Sequence, residues 1–151
     1  LKWILDSLRE LSKQLRVVFP MHPRTKKRIQ QFGFEDALEG MDVIQPLDYL
    51  RLMGLVTHSA FVITDSGGLQ KETYFCGKRA LVVMPDTGWR ELADIGWNVL
   101  VDGRGSSLDL VRRMSDIGNF VFEKTFKAIY GEGNAATKIA EIINSLFQDS
   151  I

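Results

Sequence analysis

The sequence predicts an α/β fold on a doubly wound parallel sheet, with helices on both faces making three layers. Two observations carry that expectation. Short apolar runs alternate with helical stretches along the chain, and the links between them are brief. That order implies parallel strands joined by crossover helices. The apolar runs are also continuous rather than alternating, which suits strands covered on both faces.

The 151 residues suit one domain. A chain of this size buries roughly 68–70% of its unfolded surface and needs no covalent staples. Hydrophobic residues make 45% of it and charged residues 25%, an ordinary balance for a water-exposed domain. Lys plus Arg, 19, equals Asp plus Glu, 19, so the formal net charge is zero. That excludes a protein whose grip on nucleic acid comes from a broad basic surface, and leaves room for one anion in a local pocket. Cys76 is the only cysteine. No intrachain disulfide or cysteine zinc site can form, and a reducing, cytoplasmic setting is expected. No metal or cofactor is implied. No apolar run approaches ~20 residues and no signal peptide is visible, so no membrane partner is expected.

The elements follow in order. Leu1, Ile4, Leu5, Leu8, Leu11 and Leu15 recur at helical spacing and predict a first helix. It starts with neither Met nor a capping Ser, Thr, Asp or Asn, so the chain is expected to be part of a longer protein, cut at or inside a helix. Arg16–Pro20 (RVVFP) reads as a strand, and TKKRIQQFG as a helix ending at Gly33. MDVIQP is the second strand, closed by Pro46. DYLRLMGLVTHS is a helix with Asp48 as cap and Tyr49, Leu52 and Val56 on one stripe. FVIT is the third strand, with the helix GLQKETYFCG after it. ALVVMP, the short helix WRELADIG ending near Gly96, and NVLV come next. SLDLVRRMSDIGNF and NAATKIAEIINSLFQ close the chain as helices, the latter capped by Asn134.

In open parallel sheets, ligands sit beyond the carboxyl ends of the strands. The segments of interest are therefore MHPRT, QPLD, TDSGG, MPDTGW and VDGRGSS. At TDSGG the glycines permit positive φ and close approach of a ligand. The next helix offers unpaired N–H groups and partial positive charge, and Ser66 adds a hydroxyl. This arrangement suits a phosphate or diphosphate. A plain turn capped by Asp65 or Ser66 accounts for the same residues. A capping box does not explain Glu72, because the third residue after Ser66 is Leu69 and after Asp65 is Gly68. Glu72 lies four residues past Gly68 on the same helix face, where a carboxylate can accept from two neighbouring hydroxyls such as a ribose diol.

The turn is neither a Walker loop nor a Gly-x-Gly-x-x-Gly fingerprint. Nor is Ser66 a hydrolase nucleophile, since both histidines lie upstream of it. His22, just past the first strand, could donate to a phosphate or sugar oxygen, or could be a loop histidine bonded to backbone. His58 reads as structural. Arg24, Lys26, Lys27 and Arg28 read as a solvated face, and Trp89 and Trp97 as core or cleft-wall residues.

Taken together, VFPMHPRTKKRI, QPLDYLRLMGLVTHSAFVITDSGGLQKETYFCGK, DTGWRELADIGWNVLV and YGEGNAATKI resemble the non-hydrolysing UDP-N-acetylglucosamine 2-epimerases in order and spacing. TDSGGLQKE is the most specific element. The resemblance implies a Rossmann-like half of a two-domain GT-B architecture. Residues 1–151 would then be the C-terminal, nucleotide-sugar-binding domain of a truncated protein. It implies that Ser66, Gly67 and Gly68 hold the diphosphate of a UDP-sugar and that Glu72 binds the ribose hydroxyls. It places Leu52 beside the uracil, His22 on the interdomain cleft and Thr87 among the substrate-binding residues. Met84 and Gly88 stand where family members often carry the arginine and the acid of an Arg-Asp-x-Thr-Glu turn. Lys71 replaces the first of two adjacent acids. The proton-moving residues are expected upstream of Leu1.

The function so implied is the UDP-binding half of a 2-epimerase of cell-surface polysaccharide biosynthesis, inactive as an isolated domain. Its partners would be the UDP-sugar, the missing N-terminal domain and, for the full-length protein, a second copy. Alternatives are the nucleotide-binding domain of a GT-B glycosyltransferase and a nucleotide-sugar sensing module.

Overall fold

The computed structural model describes residues 1–102, 112–113 and 129–148. In chain order the elements are α1 (Lys2–Ser12), β1 (Val18–Pro20), α2 (Pro23–Phe32), a 3-10 turn (Glu35–Leu38), β2 (Asp42–Ile44), α3 (Tyr49–His58), β3 (Val62–Thr64), α4 (Gly67–Phe75), β4 (Ala80–Val82), α5 (Arg90–Asp94), β5 (Asn98–Leu100) and α6 (Ala135–Gln148). The chain divides into two compact units, Leu1–Phe120 and Val121–Ile151. Most of the expected helix over 107–120 lies outside the described residues; Arg112 and Arg113 are helical.

The strands among the described residues pair in parallel, as expected. They form two ladders, β1–β2 and β3–β4–β5. Each of these strands is three residues long, shorter than the segment expected for it. Ile63, Leu81 and Val99 stand in register and face α1, packing with Leu8 and Leu11. Leu5, one turn earlier on α1, packs instead with Phe19, Met21 and Ile29. The apolar stripe of one helix thus serves both ladders. Asn98, next to Val99, must point to the opposite face. It donates to Gln70 of α4 there, which places α4 on the far side of the sheet. Helices on both faces give the three layers.

The helix signals read from sequence act through identifiable bonds. Asp48 accepts from the Arg51 amide at 2.9 Å and caps α3. Gly33 ends α2 in the left-handed conformation, φ 65°, which only glycine adopts without strain. The Asn134 carbonyl accepts from the Lys138 amide at the start of α6. Three features differ from expectation. Helix α1 stops at Ser12, so Leu15 is exposed beyond it. The 3-10 turn carries no periodic signal, yet it buries Ala37 against Ile29. Of the expected α3 stripe, Val56 is buried whereas Tyr49 is exposed.

Candidate functional site

The carboxyl ends of β3 and β4 are adjacent, since Thr64 is registered with Val82. Two of the turns singled out by sequence therefore leave the sheet side by side. Thr64 is buried, and its hydroxyl accepts from the Ser66 amide at 3.0 Å. This bends the chain at the strand end. Ser66 then caps α4, its hydroxyl accepting from the Leu69 amide at 3.5 Å. That bond is at the long limit for a cap.

Gly67 and Gly68 open α4, and neither has positive φ. The left-handed freedom anticipated for them is not used. A Cβ built on either would meet nothing within 4 Å. Neither backbone conformation nor packing among the described residues requires glycine here. Glycine in place of alanine within a helix costs roughly 0.5–1 kcal/mol. The space above the first turn is open, and no acidic residue lies in that turn. The unpaired N–H groups of a helix start carry partial positive charge. Here they face solvent-accessible space with no carboxylate of their own element against them.

Glu72 follows one turn later and is half-buried. Among the described residues its carboxylate has no hydrogen-bond or ion-pair partner. Beneath the turn, α4 shows the sheet a polar seam. Gln70 is 1% exposed and Thr87 6%. The Thr87 hydroxyl donates to the Gln70 side-chain oxygen at 2.6 Å and accepts from the Trp89 amide at 3.1 Å. Asn98 donates to the same Gln70 oxygen at 3.4 Å, and the Gln70 amide reaches the Met84 sulfur at 3.7 Å. Met84 therefore turns inward to a buried amide. The Trp89 indole N–H donates to the Gly67 carbonyl at 2.7 Å. The Lys71 ammonium stands 4.5 Å from the centre of the same indole ring.

Asp86, at the surface of this second turn, has its carboxyl held below the usual range. It accepts from the Thr87 amide, and the Arg90 guanidinium bonds and attracts it.

Ser66, Gly67, Gly68 and Glu72 thus share one helix, and Thr87 is joined to it through Gln70 and Trp89. His22 and Leu52 stand on other turns. His22 caps α2, where its Nδ1 accepts from the Arg24 amide at 3.2 Å. That leaves Nε2 as the ring's N–H donor, on an exposed side chain. Leu52 is half-buried in the first turn of α3, which packs beside α4. Arg24, Lys26, Lys27 and Arg28 are exposed, as expected of a solvated face. The VDGRGSS turn lies largely outside the described residues.

Sequence reasoning missed Gln70 and the bonding role of Trp89. A signal existed for the first. Gln70, Thr73 and Tyr74 fall at the inward i, i+3, i+4 positions of α4, so a polar stripe faces the sheet. No sequence signal places an indole on a carbonyl 22 positions upstream.

A family model described as UDP-N-acetylglucosamine 2-epimerase matches residues 1–144. The chain belongs to that family. Within this UDP-N-acetylglucosamine 2-epimerase family, it is 33% identical over 135 residues to a UDP-N-acetylglucosamine 2-epimerase homolog of Methanococcus maripaludis, covering 87% of this chain and 36% of the relative. It is 36% identical over 146 residues to the UDP-2,3-diacetamido-2,3-dideoxy-D-glucuronate 2-epimerase of Pseudomonas aeruginosa, covering 95% of this chain and 39% of the relative. The chain therefore spans well under half the length of either.

Among solved structures, the Methanocaldococcus jannaschii UDP-GlcNAc 2-epimerase in complex with UDP-GlcNAc and UDP matches with a TM-score of 0.80 at 26% identity, over 95% of this chain and 40% of that one. The Neisseria meningitidis enzyme bound to UDP-GlcNAc matches with a TM-score of 0.71 at 26% identity, over 96% and 41%. The fold is thus the Rossmann-like half of a GT-B architecture. Among the described residues no helix is long and apolar enough to cross a membrane.

Proposed function

We propose that this chain is the UDP-binding half of a UDP-sugar 2-epimerase, forming the C-terminal, nucleotide-sugar-binding domain of a longer two-domain protein. The observation that carries the reading is the start of α4. Two glycines that nothing among the described residues demands sit over open space at the positive end of a helix. A ligand whose atoms must approach the backbone accounts for both of them. The unpartnered Glu72 carboxylate one turn later accounts for a diol beside that anion. Family membership supports the choice of a UDP-sugar, as do relatives bound to UDP and UDP-GlcNAc.

In this reading Ser66, Gly67 and Gly68 hold the diphosphate and Glu72 accepts from the ribose hydroxyls. Leu52 borders the uracil. His22 offers its exposed Nε2–H to the sugar or phosphate. Thr87 has its hydroxyl committed to Gln70 and Trp89, so it acts by holding the 84–88 turn in place.

The relatives are named for two different acetamido sugars and for the same carbon, C2. The reaction of the whole protein is therefore assigned as inversion at C2. A base removes the C2 proton while the C1–O bond breaks and its electron pair leaves with UDP. A C1–C2 double bond results. Protonation of C2 on the other face and return of UDP to C1 complete the turnover. This chain's part is to hold the anionic leaving group with preorganised donors. The groups that move the proton are assigned to the remainder of the protein, so the chain alone should bind UDP without turnover. A cytoplasmic setting agrees with the single Cys76.

Isothermal titration of the chain with UDP tests the reading. Heat with the wild type and much weaker binding by Glu72→Ala are expected. No binding by the wild type, or equal affinity in the two proteins, overturns it. For the whole protein, formation of the C2 epimer from a UDP-acetamido sugar with no acceptor present is the expected product test.

A further inference from the structure

We propose that Trp89 is a positioning residue for the diphosphate site, fixing the peptide between Gly67 and Gly68 so that the Gly68 N–H stays aimed at the anion. The inference rests on the assignment of the α4 turn as that site. The Gly67 carbonyl and the Gly68 N–H belong to one planar trans peptide and point to opposite sides of it. Whatever holds the oxygen also sets the direction of the N–H. The Trp89 indole holds that oxygen at 2.7 Å. A carbonyl has two lone pairs, so the indole can share it with the amide four residues on in the helix.

The two glycines explain why such a hold is needed. They are the most conformationally free residues available, and no side chain stands within 4 Å of either Cβ position. A peptide that rocks must be ordered when the anion binds, and that ordering weakens binding. Trp89 opposes the rocking because it is itself held from two directions. Its backbone amide is bound by the Thr87 hydroxyl, and that hydroxyl by the buried Gln70 of α4. The Lys71 ammonium, also on α4, lies over its ring. Gly67, Trp89, Thr87 and Gln70 thus close a circuit across the first turn of one helix, using a turn that arrives from the next strand.

Trp89→Phe separates the bond from the packing. It keeps a ring for Lys71 to cover and removes only the N–H donor. Because that bond is already made in the ligand-free protein, its loss reaches affinity only through the added ordering of the Gly67–Gly68 peptide on binding, so UDP affinity should fall a few-fold by titration. Affinity for uridine, which lacks the phosphates, should stay unchanged, as should the thermal midpoint to within a few degrees. In the ligand-free protein, 15N relaxation should report larger-amplitude motion at the Gly68 amide in the variant. A variant that binds UDP as the wild type does overturns the inference. So does equal loss of UDP and uridine binding, or unchanged Gly68 relaxation. If the wild type itself fails to bind UDP, the site assignment falls first and this inference with it. If the wild type binds and the variant is indistinguishable, only the role of Trp89 falls.

Discussion

Helices α3 and α4 each follow a parallel strand and pack beside one another, and they are opened differently. Helix α3 is capped by a carboxylate. Asp48 takes the Arg51 amide at 2.9 Å, and its other oxygen stands 3.4 Å from the Arg51 guanidinium. The positive end of that helix is answered within the chain. Helix α4 is capped by a neutral hydroxyl at 3.5 Å, carries no acid in its first turn, and starts with two unencumbered glycines. One helix start is completed for stability. The other is left incomplete in charge and in volume, which is the condition an anion site needs. If the α4 turn is the proposed anion site, the difference teaches that a strand-to-helix turn is fitted to a ligand less by what it contains than by what it leaves unanswered.

Exchanging the properties of the two starts should expose that contrast, and the largest effect belongs to Glu72. Its removal in Glu72→Ala deletes charge-assisted bonds to hydroxyls of about 1.5–3 kcal/mol, so UDP should bind roughly 10- to 100-fold more weakly by titration. The thermal midpoint should change little, because among the described residues this carboxylate has no partner.

Asp48→Ala should show the opposite pattern. Loss of an N-cap costs about 1 kcal/mol. Chemical denaturation should register it, while UDP titration should be unaltered. If UDP binding collapsed instead, the division of labour between the two helices would be wrong.

Gly68→Ala is smaller and cuts both ways. Ala should stabilise the unliganded fold by up to about 1 kcal/mol, since nothing obstructs its Cβ. The same methyl should weaken UDP binding by standing where the anion approaches. Gain in thermal midpoint with unchanged UDP affinity would mean the glycines serve only the connection.

The smallest effect concerns Asp86 beside the site. Its folded carboxyl is held below the ordinary range, first by the Thr87 amide and then by Arg90. A depressed value favours the ionised form in the fold. The associated stability is therefore present above the ordinary carboxylate range and disappears as pH falls through the folded value. Comparing the thermal midpoints of wild type and Asp86→Asn against pH should show a slight advantage for wild type near neutrality. That advantage should close in strong acid.

The amino-acid sequence by itself determined the order of the described strands and α-helices, though not the 3-10 turn, because each of them rests on local chemistry. Asp48 and Gly33 mark helix ends through bonds a few residues away, and the apolar runs announce strands that must be covered. It also located the α4 turn, since two glycines and a carboxylate four residues on are a local pattern. It could not give the lengths of strands, which depend on how far neighbours run in register, nor show that α1 would end before Leu15. It could not reveal that Gly67 and Gly68 keep ordinary helical backbone. Only tertiary structure decided that Gln70 is buried under Thr87 and Asn98, that Met84 faces inward and that the Trp89 indole rests on Gly67. Those contacts join segments distant along the chain, and parallel pairing of β3, β4 and β5 is what brings them together.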